Sequence, residues 1–414
     1  MTDAFYFART RRMPVVLGVP LDMQRAIVSG ETRYRTSAEL IPDMGPMAPN
    51  PAYVARAADR IMAARNIVVL GGRGARMAGA AAACEHLAEL CGGLLAETLP
   101  VRGLFDRHSR SIGVAGGFSH QVTRQAFAEC DLVIAVGASL THHTVDGGKL
   151  FPHATVIQVD ANPLGINQGR QIAGIFVRAD CKTGLEAIIA ELGRAGQDGR
   201  RAGWDAEALA RRVREEPADE AMVSVEQGLL DPRAVVSALE QALPEDWQYV
   251  NASGHCSYFS AQMRGRSADD FLTIREFGAI GNGLCYAVGA AAAKPGQTVV
   301  LIDGDGGFLM HVQELETVRR YNLPILACIL NDGAFGSEIH KLRADGLDDG
   351  GAIFGRGDLG RIARGFGLRG AVVTDVRQVP TVLKDFKAGA GAMVLDCHIS
   401  DQVVSPTMRR SLLR

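Results

Sequence analysis

Apolar and polar positions follow one another along this chain in a pattern that predicts strands followed by helices. The clearest unit begins with the β-branched run Val299–Ile302 and ends in a second apolar run, Ile325–Leu330. Between them a helical spacing places Val312, Leu315 and Val318 on one face. Two apolar runs joined by an amphipathic helix predict a strand–helix–strand unit with parallel strands.

Polar residues collect where both of these strands end. Gly304-Asp305-Gly306 follows the first strand, and Asn331-Asp332-Gly333 follows the second. The carboxyl ends of parallel strands form the edge at which open α/β sheets bind ligands. Glycines allow a backbone to approach phosphate oxygens, and side-chain oxygens suit Mg²⁺. The pattern favours a diphosphate held through a divalent metal, although each corner alone would be an ordinary turn rich in Gly, Asp and Asn.

The same alternation extends over most of the chain and predicts the α/β fold class. Further strands are predicted at Ile67–Leu70, Leu94–Glu97, Val133–Val136, Val156–Asp160, Ile175–Ala179, Gln248–Asn251 and Phe271–Ile274. An Ala-rich helix is predicted from Gly74 to about Leu90, and an amphipathic one at Pro232–Leu243. We predict two doubly wound parallel-sheet domains preceded by a remnant of a third. The predicted boundaries are a remnant at 1–35 with a linker to 51, a central Rossmann-like domain at 52–195, a solvated inter-domain helix and linker at 196–229, and a diphosphate-binding domain at 230–405.

The remnant is predicted to hold one helix and one strand. Ala4–Arg11 is typical of the end of a helix, and Pro14–Pro20 of a buried strand. A single strand and helix bury too little apolar surface to form a domain by themselves.

Composition narrows the functional classes. The 414 residues are 47% hydrophobic and 22% charged, which is typical of a globular protein of two or three domains. A net charge of −2 argues against a nucleic-acid or anionic membrane partner. Eight cysteines without a CxxC pair favour reduced thiols, and neither a membrane span nor a signal peptide is predicted. We therefore expect a cytoplasmic location.

Residues 304–336 resemble the thiamine-diphosphate binding motif of the acetolactate synthase, pyruvate decarboxylase and benzoylformate decarboxylase family. That motif consists of GDG, an internal QEL-T segment and an Asn pair near thirty residues on. The corresponding pieces are Gly304-Asp305-Gly306, Gln313-Glu314-Leu315 with Thr317, and Asn331-Asp332, with Asp where the family usually has its second Asn. The resemblance implies thiamine diphosphate and Mg²⁺ as cofactors.

The resemblance also implies roles for individual residues. Metal ligands would be Asp305, Asp332 and the Ala334 carbonyl, whereas a one-residue shift would give the role of Asp332 to Asn331. Ile280 would wedge beneath the cofactor, and the Gly278 carbonyl would accept from its amino group. The remaining cofactor-binding residues would be Gly254, His255, Gly304, Gly306, Gly307, Phe335 and Gly336. Without the resemblance, Ile280 is typical of a core residue, and His255 fits a structural histidine as well as a phosphate contact.

Glu338 is the candidate catalytic residue. It falls where pyruvate decarboxylase relatives place an active-site glutamate that handles protons. A carboxylate near a cofactor can have a raised pKa and act as acid or base. The alternative is a glutamate at a helix N-terminus, where the helix dipole favours negative charge.

The central domain resembles the family domain that carries FAD in acetolactate synthases and ADP in oxalyl-CoA decarboxylase. The matching segments are Gly113–Gly117, Asp131–Gly137 and Val156–Pro163. The arginines of FAD-binding members are replaced by Ser139, His142 and His143, so FAD is not expected. A NAD site is also disfavoured, because Met77 replaces the third glycine of the dinucleotide fingerprint.

The family's activating glutamate belongs to a pyrimidine-binding domain that this chain is expected to lack. Glu31 and Glu39 stand in a different sequence context. We therefore expect a 2-oxo acid decarboxylase or carboligase that works as a homo-oligomer, with a separate pyrimidine-domain subunit, or both. One alternative is a non-catalytic thiamine-diphosphate-binding fragment that acts as a regulatory or assembly subunit. The other is an unrelated nucleotide-binding protein with a fortuitous GDG.

Overall fold

The computed structural model describes residues 2–11, 13–28, 30, 35–41, 45–162, 173–196, 203–274 and 276–412. These residues belong to two compact units, Met1–Met47 and Ala48–Arg414. Two residues of the sequence analysis, Glu31 and Pro163, lie outside the described ranges.

The first unit contains helix α1, Thr2–Arg11, as predicted, and the short helix α2, Ser37–Leu40. The buried strand predicted at Pro14–Pro20 is wrong: these residues form no strand, and Val16 is 96% exposed. A strand needs a neighbour for its backbone hydrogen bonds, and the described residues of this unit offer none. The apolar side chains of the segment are therefore left in solvent.

The second unit contains two parallel sheets. The strands of the first sheet are β1 Ile67–Gly71, β2 Leu94–Glu97, β3 Ser111–Val114, β4 Leu132–Val136, β5 Thr155–Asp160 and β6 Ile175–Arg178. Their order is β3-β2-β1-β4-β5-β6, the doubly wound order of dinucleotide-binding folds. β3 is absent from the predicted strands, because Ser111–Val114 is short and includes Gly113.

The second sheet carries the residues of the predicted diphosphate site. Its strands are β7 Gln248–Asn251, β8 Phe271–Thr273, β9 Val299–Gly304, β10 Ile325–Asn331, β11 Arg369–Val373 and β12 Met393–His398. The order β11-β12-β10-β9-β7-β8 reverses direction between β7 and β9. Ligands bind at such a switch point, beyond the carboxyl ends of the strands. The predicted α/β fold with two doubly wound parallel sheets is confirmed.

Helices cover both faces of each sheet. Those of the second unit are α3 Pro51–Ala63, α4 Arg73–Met77, α5 Ala81–Cys91, α6 Gln121–Glu129, α7 Cys181–Arg194, α8 Ala206–Glu215, α9 Pro232–Ala242, α10 His255–Ser260, α11 Gly283–Ala293, α12 Asp305–Met310, α13 Leu315–Arg320, α14 Gly336–Ala344, α15 Leu359–Gly365, α16 Val379–Ala388 and α17 Pro406–Leu412. Of the helices in the described ranges, none combines the length and the apolar character that a bilayer crossing needs.

Helix α8 differs from the solvated inter-domain helix that the charge run predicts. It buries Ala206, Ala210 and Val213 in the core of the first sheet, next to Val122 and Phe151. Small and β-branched side chains spaced three and four apart make one apolar face, so the arginines and glutamates occupy only the other.

Candidate cofactor-binding site

The turn after β9 places Asp305 in the floor of a cleft. Asp305 begins α12 and is only 2% exposed. Its Oδ2 accepts a hydrogen bond of 2.8 Å from the backbone N–H of Gly333, just beyond β10. The ends of two adjacent strands are thus joined through this carboxylate.

Asp332 faces Asp305 from the end of β10. It is 8% exposed, and the two side chains share a hydrogen bond. Burial, reinforced by the charge of Asp332, raises the pKa of Asp305 to about 8, and burial raises the pKa of Asp332 to about 6. Ionisation of both carboxylates is energetically unfavourable at such close range and with so little solvent, unless a cation lies beside them. The pair is therefore suited to a divalent metal ion.

Asn331 is turned away from this pair. Its amide donates to Asp396 Oδ1 at 2.9 Å and to the Gly357 carbonyl at 3.3 Å, inside the sheet core. Ala334, in contrast, lines the cleft with Asp332. The structure therefore brings Asp305, Asp332 and Ala334 together and leaves the Asn331 side chain outside.

Glycines keep the floor of the cleft open. A Cβ at Gly336 would lie 2.3 Å from Asp332 Oδ2, and one at Gly306 would lie 2.7 Å from the Phe335 ring. Either contact is far shorter than a real Cβ tolerates, so a side chain at these positions would displace the floor. The predicted residues Gly304, Gly306, Gly307, Phe335 and Gly336 all line this space.

His255 forms the opposite wall, at the start of α10. It follows Gly254, whose φ of +114° is accessible mainly to glycine. The ring is 6% exposed and packs edge-on against Phe259 and His340. Burial and the nearby His340 hold the pKa of His255 well below its usual range, so the imidazole is neutral.

Gly278 and Ile280 form the outer wall. Gly278 adopts a left-handed φ of +64°, and Ile280 remains 37% exposed. A Cβ at Gly254 would lie 3.8 Å from Ile280 Cγ2, so this side chain reaches across to the wall that carries His255. Ile280 is not a core residue in this structure.

Glu338 lies at the mouth of the cleft, on the first turn of α14. Its side chain is about half exposed and forms an ion pair with Lys341, with Nζ 2.9 Å from Oε1. Lys341 is absent from the predicted site, although its spacing of three residues from Glu338 places both on one helix face. Tyr258, Phe259 and Ile399 also line the cleft and were not predicted, because no local motif marks them.

The cleft as a whole has a volume of about 380 Å³, within the range of small-molecule sites. No group of three or more His, Cys, Asp or Glu side chains within the described ranges could hold a metal ion. A metal bound by Asp305 and Asp332 would thus depend on other oxygens, which a diphosphate supplies. The residues present fit a diphosphate–metal group.

The first sheet lacks an equivalent opening at its glycine-rich turn. The N–H of Gly72 donates to the Val136 carbonyl at 2.8 Å, and that of Gly74 to the Gly137 carbonyl at 2.9 Å. A Cβ at Gly72 would lie 2.3 Å from the Gly137 carbonyl oxygen. These glycines serve close backbone packing, so the N–H groups that would meet a pyrophosphate are already occupied. His142 and His143 lie nearby on a loop, with their rings edge-to-face.

Two family models match the chain. Residues 54–188 match "Thiamine pyrophosphate enzyme, central domain", and residues 252–397 match "Thiamine pyrophosphate enzyme, C-terminal TPP binding domain". The second match contains every predicted site residue.

Curated relatives agree with the family models. Over 412 residues the chain is 27% identical to the acetolactate synthase isozyme 2 large subunit of Escherichia coli, covering 97% of this chain and 71% of the relative. It is 29% identical to a probable acetolactate synthase large subunit of Methanocaldococcus jannaschii, covering 80% and 57%. It is 30% identical to an acetolactate synthase of Mycobacterium bovis, covering 81% and 54%. The aligned part is thus between about half and 71% of these relatives' lengths.

Proposed function

Since this chain belongs to the thiamine pyrophosphate enzyme family, we propose that it binds thiamine diphosphate with Mg²⁺ and acts as a 2-oxo acid decarboxylase or carboligase similar to acetolactate synthase. The observation that carries the proposal is the buried pair of Asp305 and Asp332 at the switch point of the second sheet. A Mg²⁺ ion held between this pair and a diphosphate would compensate the negative charge of both.

Different residues of the chain would bind the metal ion, the diphosphate and the middle of the cofactor. Asp305, Asp332 and the Ala334 carbonyl would hold Mg²⁺, and the glycine-rich turns around Gly306 and Gly336 would admit the diphosphate. Ile280 would support the middle of the bound molecule from the outer wall. When bound, the cofactor supplies a nucleophilic carbon and an electron sink for decarboxylation. Glu338, at the mouth, would exchange protons with the substrate.

The first prediction concerns binding. Calorimetric titration of thiamine diphosphate into the purified chain is expected to give binding that requires Mg²⁺, because without a cation the two carboxylates would repel the anionic diphosphate. FAD titrated in the same way is expected to give no heat, because the turn amides of the central domain are occupied. Absence of thiamine diphosphate binding in the presence of Mg²⁺ would contradict the proposal.

A partner domain is part of the proposal. Around the cleft the structure exposes large apolar side chains, among them Phe277, Met310 and Phe354, the last two 45% exposed. Exposed apolar patches around a ligand cleft mark a surface that another protein covers. We infer that a pyrimidine-binding domain contributed by another polypeptide covers it.

The second prediction concerns turnover. CO₂ release from pyruvate is expected when the chain is mixed with a pyrimidine-binding domain from an acetolactate synthase relative. E338Q is expected to lower kcat by about 100-fold or more, the usual effect of removing a general acid or base, with little change in cofactor affinity. E316Q is the matched control, because Glu316 pairs with Arg319 and Arg320 outside the cleft. An unchanged kcat in E338Q would reduce Glu338 to a residue that stabilises the start of α14.

A further inference from the structure

The last described residues connect the candidate site to the first sheet. We call Ser405–Leu412 the C-terminal strap. Its first residue donates a hydrogen bond from the backbone N–H to His255 Nε2, at 3.2 Å. Two residues on, Thr407 Oγ1 donates to the Gly117 carbonyl at 2.7 Å, and Arg410 donates to the same oxygen. One short segment therefore touches both His255 and the loop that follows β3.

The first of these contacts fixes the tautomer of His255. A neutral imidazole carries one proton, and a nitrogen that accepts a hydrogen bond cannot also carry it. Because Nε2 accepts from Ser405, the proton must reside on Nδ1. Nδ1 has no hydrogen-bond partner among the described residues and lies beside Gly336, where an added Cβ would be 3.2 Å from it. The single N–H of the ring therefore points at the floor of the cleft.

We propose that the C-terminal strap is a positioning element of the cofactor site, which holds His255 as an Nδ1–H donor to an anionic phosphate oxygen. This inference rests on the proposed function, because the phosphate belongs to the proposed cofactor. The other tautomer would present a lone pair to the anion and repel it. A backbone amide is well suited to select between the two, since it can only donate.

Through its contacts, the strap also makes the tautomer of His255 depend on the loop that follows β3 of the first sheet. Arg409 is anchored by Asp219, with Nη2 2.5 Å from Oδ1, and Gly117 receives both Thr407 and Arg410. A second route runs through ring contacts, a tilted one between Phe118 and Tyr258 at 5.3 Å and an edge-to-face one between Tyr258 and His255 at 5.9 Å. A shift of the β3 loop would thus be transmitted to the ring that faces the diphosphate.

The test compares thiamine diphosphate affinity, in the presence of Mg²⁺, among variants of the full chain. S405P removes the N–H that fixes the tautomer together with the hydroxyl that accepts from the Met408 N–H, and S405A removes that hydroxyl alone. Relative to S405A, we expect S405P to lose about tenfold or more in affinity, typical of a hydrogen bond to a charged group. T407V, which removes one of the two hydrogen bonds from the strap to the Gly117 carbonyl, is expected to weaken binding in the same direction. H255N places an amide N–H near the position of Nδ1, and H255Q near that of Nε2, so H255N should bind more tightly than H255Q. S411A is the control, because that hydroxyl contacts only Met408 within α17.

A spectroscopic measurement separates positioning from general stability. Long-range ¹H–¹⁵N spectra of the parent without cofactor are expected to show His255, assigned by its loss in H255N, as the neutral Nδ1–H tautomer. S405P and T407V should shift it toward a tautomer mixture while their thermal midpoints stay near that of the parent. An Nε2–H tautomer in the parent, or equal affinities of S405P and S405A, would overturn the inference. If the parent fails to bind thiamine diphosphate, the proposed function is wrong. The spectra would still show which tautomer His255 adopts.

Discussion

D305A is expected to abolish Mg²⁺-dependent binding of thiamine diphosphate, with a loss of at least about 100-fold in affinity. Asp305 is the deepest charged side chain of the cleft, and its Oδ2 also holds the Gly333 amide that shapes the end of β10. Its removal therefore takes away a metal ligand and loosens the turn that carries the second one. The measurement is calorimetric titration of the cofactor with Mg²⁺ at pH 8.

In the apo protein, removal of the Asp305 charge should increase stability, although it removes cofactor binding. Asp305 and Asp332 destabilise each other when no cation is present, as their raised pKa values indicate. D305N should therefore unfold at a higher temperature than the parent without cofactor, yet gain no stability when the cofactor and Mg²⁺ are added. Stability lost in the apo form would mean that Asp305 serves the fold and not a ligand.

Two further variants sharpen this experiment. D332N introduces the residue that the family usually has at this position and is expected to retain metal-dependent binding, because an amide oxygen can also ligate Mg²⁺. D385A removes an exposed carboxylate on α16 and should change nothing. Equal binding by D305A and the parent would mean that Asp305 is not a metal ligand and that the GDG sequence forms an ordinary turn.

The unit from β9 to β10 was predictable because its information is local. Apolar runs, the helical spacing and the glycine-rich corners lie within about forty residues, and the strand ends bring Asp305 and Asp332 together by topology alone. The preference for Asp332 over Asn331 rested on the gapless match to the family motif and not on the local pattern. Asn331 is withdrawn by Asp396 on β12, 65 residues further along the chain, and no local pattern indicates that contact.

Other differences between the predicted and the observed structure also have specific causes. The Ala-rich helix predicted after β1 is two helices, because Gly79 adopts a left-handed φ of +63° between Met77 and Ala81. Alanine raises helix propensity throughout, but one glycine in this conformation ends the hydrogen-bond ladder. The contact of Ser405 with His255 spans 150 residues and uses a backbone amide, which any residue except proline would supply. Contacts of this kind therefore cannot be predicted from the residue type.

The interface between the two sheets should carry its own dependence on pH, through Glu97. This residue ends β2 and is fully buried, and among the described residues the one backbone amide that donates to its carboxyl group is that of Gly103, at 3.3 Å. Burial, and then the charge of Asp106, raise the pKa of Glu97 to about 8. Asp106 is in turn held from the second sheet, by Arg264 and by the Gly265 amide at 3.1 Å. A protonated Glu97 that donates to Asp106 would therefore be part of the contact between the sheets.

The sign of the effect follows from linkage. The folded protein binds the Glu97 proton more tightly than the unfolded chain, so this contribution to stability is complete below the unfolded pKa and is lost as pH rises toward 8. The loss amounts to about 1.4 kcal/mol per pH unit at most. E97Q reproduces the shape and donor of the protonated acid without the titration. We expect it to match the parent near pH 5 and to exceed its stability increasingly up to pH 8.5.

Urea unfolding of the parent, E97Q and E186Q at pH 5, 7 and 8.5 measures this difference. E186Q is the control, because Glu186 is exposed on α7 and takes no part in the contact between Glu97 and Asp106. A gap between E97Q and the parent that widens with pH, absent from E186Q, would assign a proton to the sheet interface at neutral pH. A constant gap across that range would mean that Glu97 stays ionised when folded, with Arg264 as its compensating charge in place of a shared proton. The strap is held by the Gly117 carbonyl and not by Glu97, so E97Q should leave the tautomer of His255 unchanged.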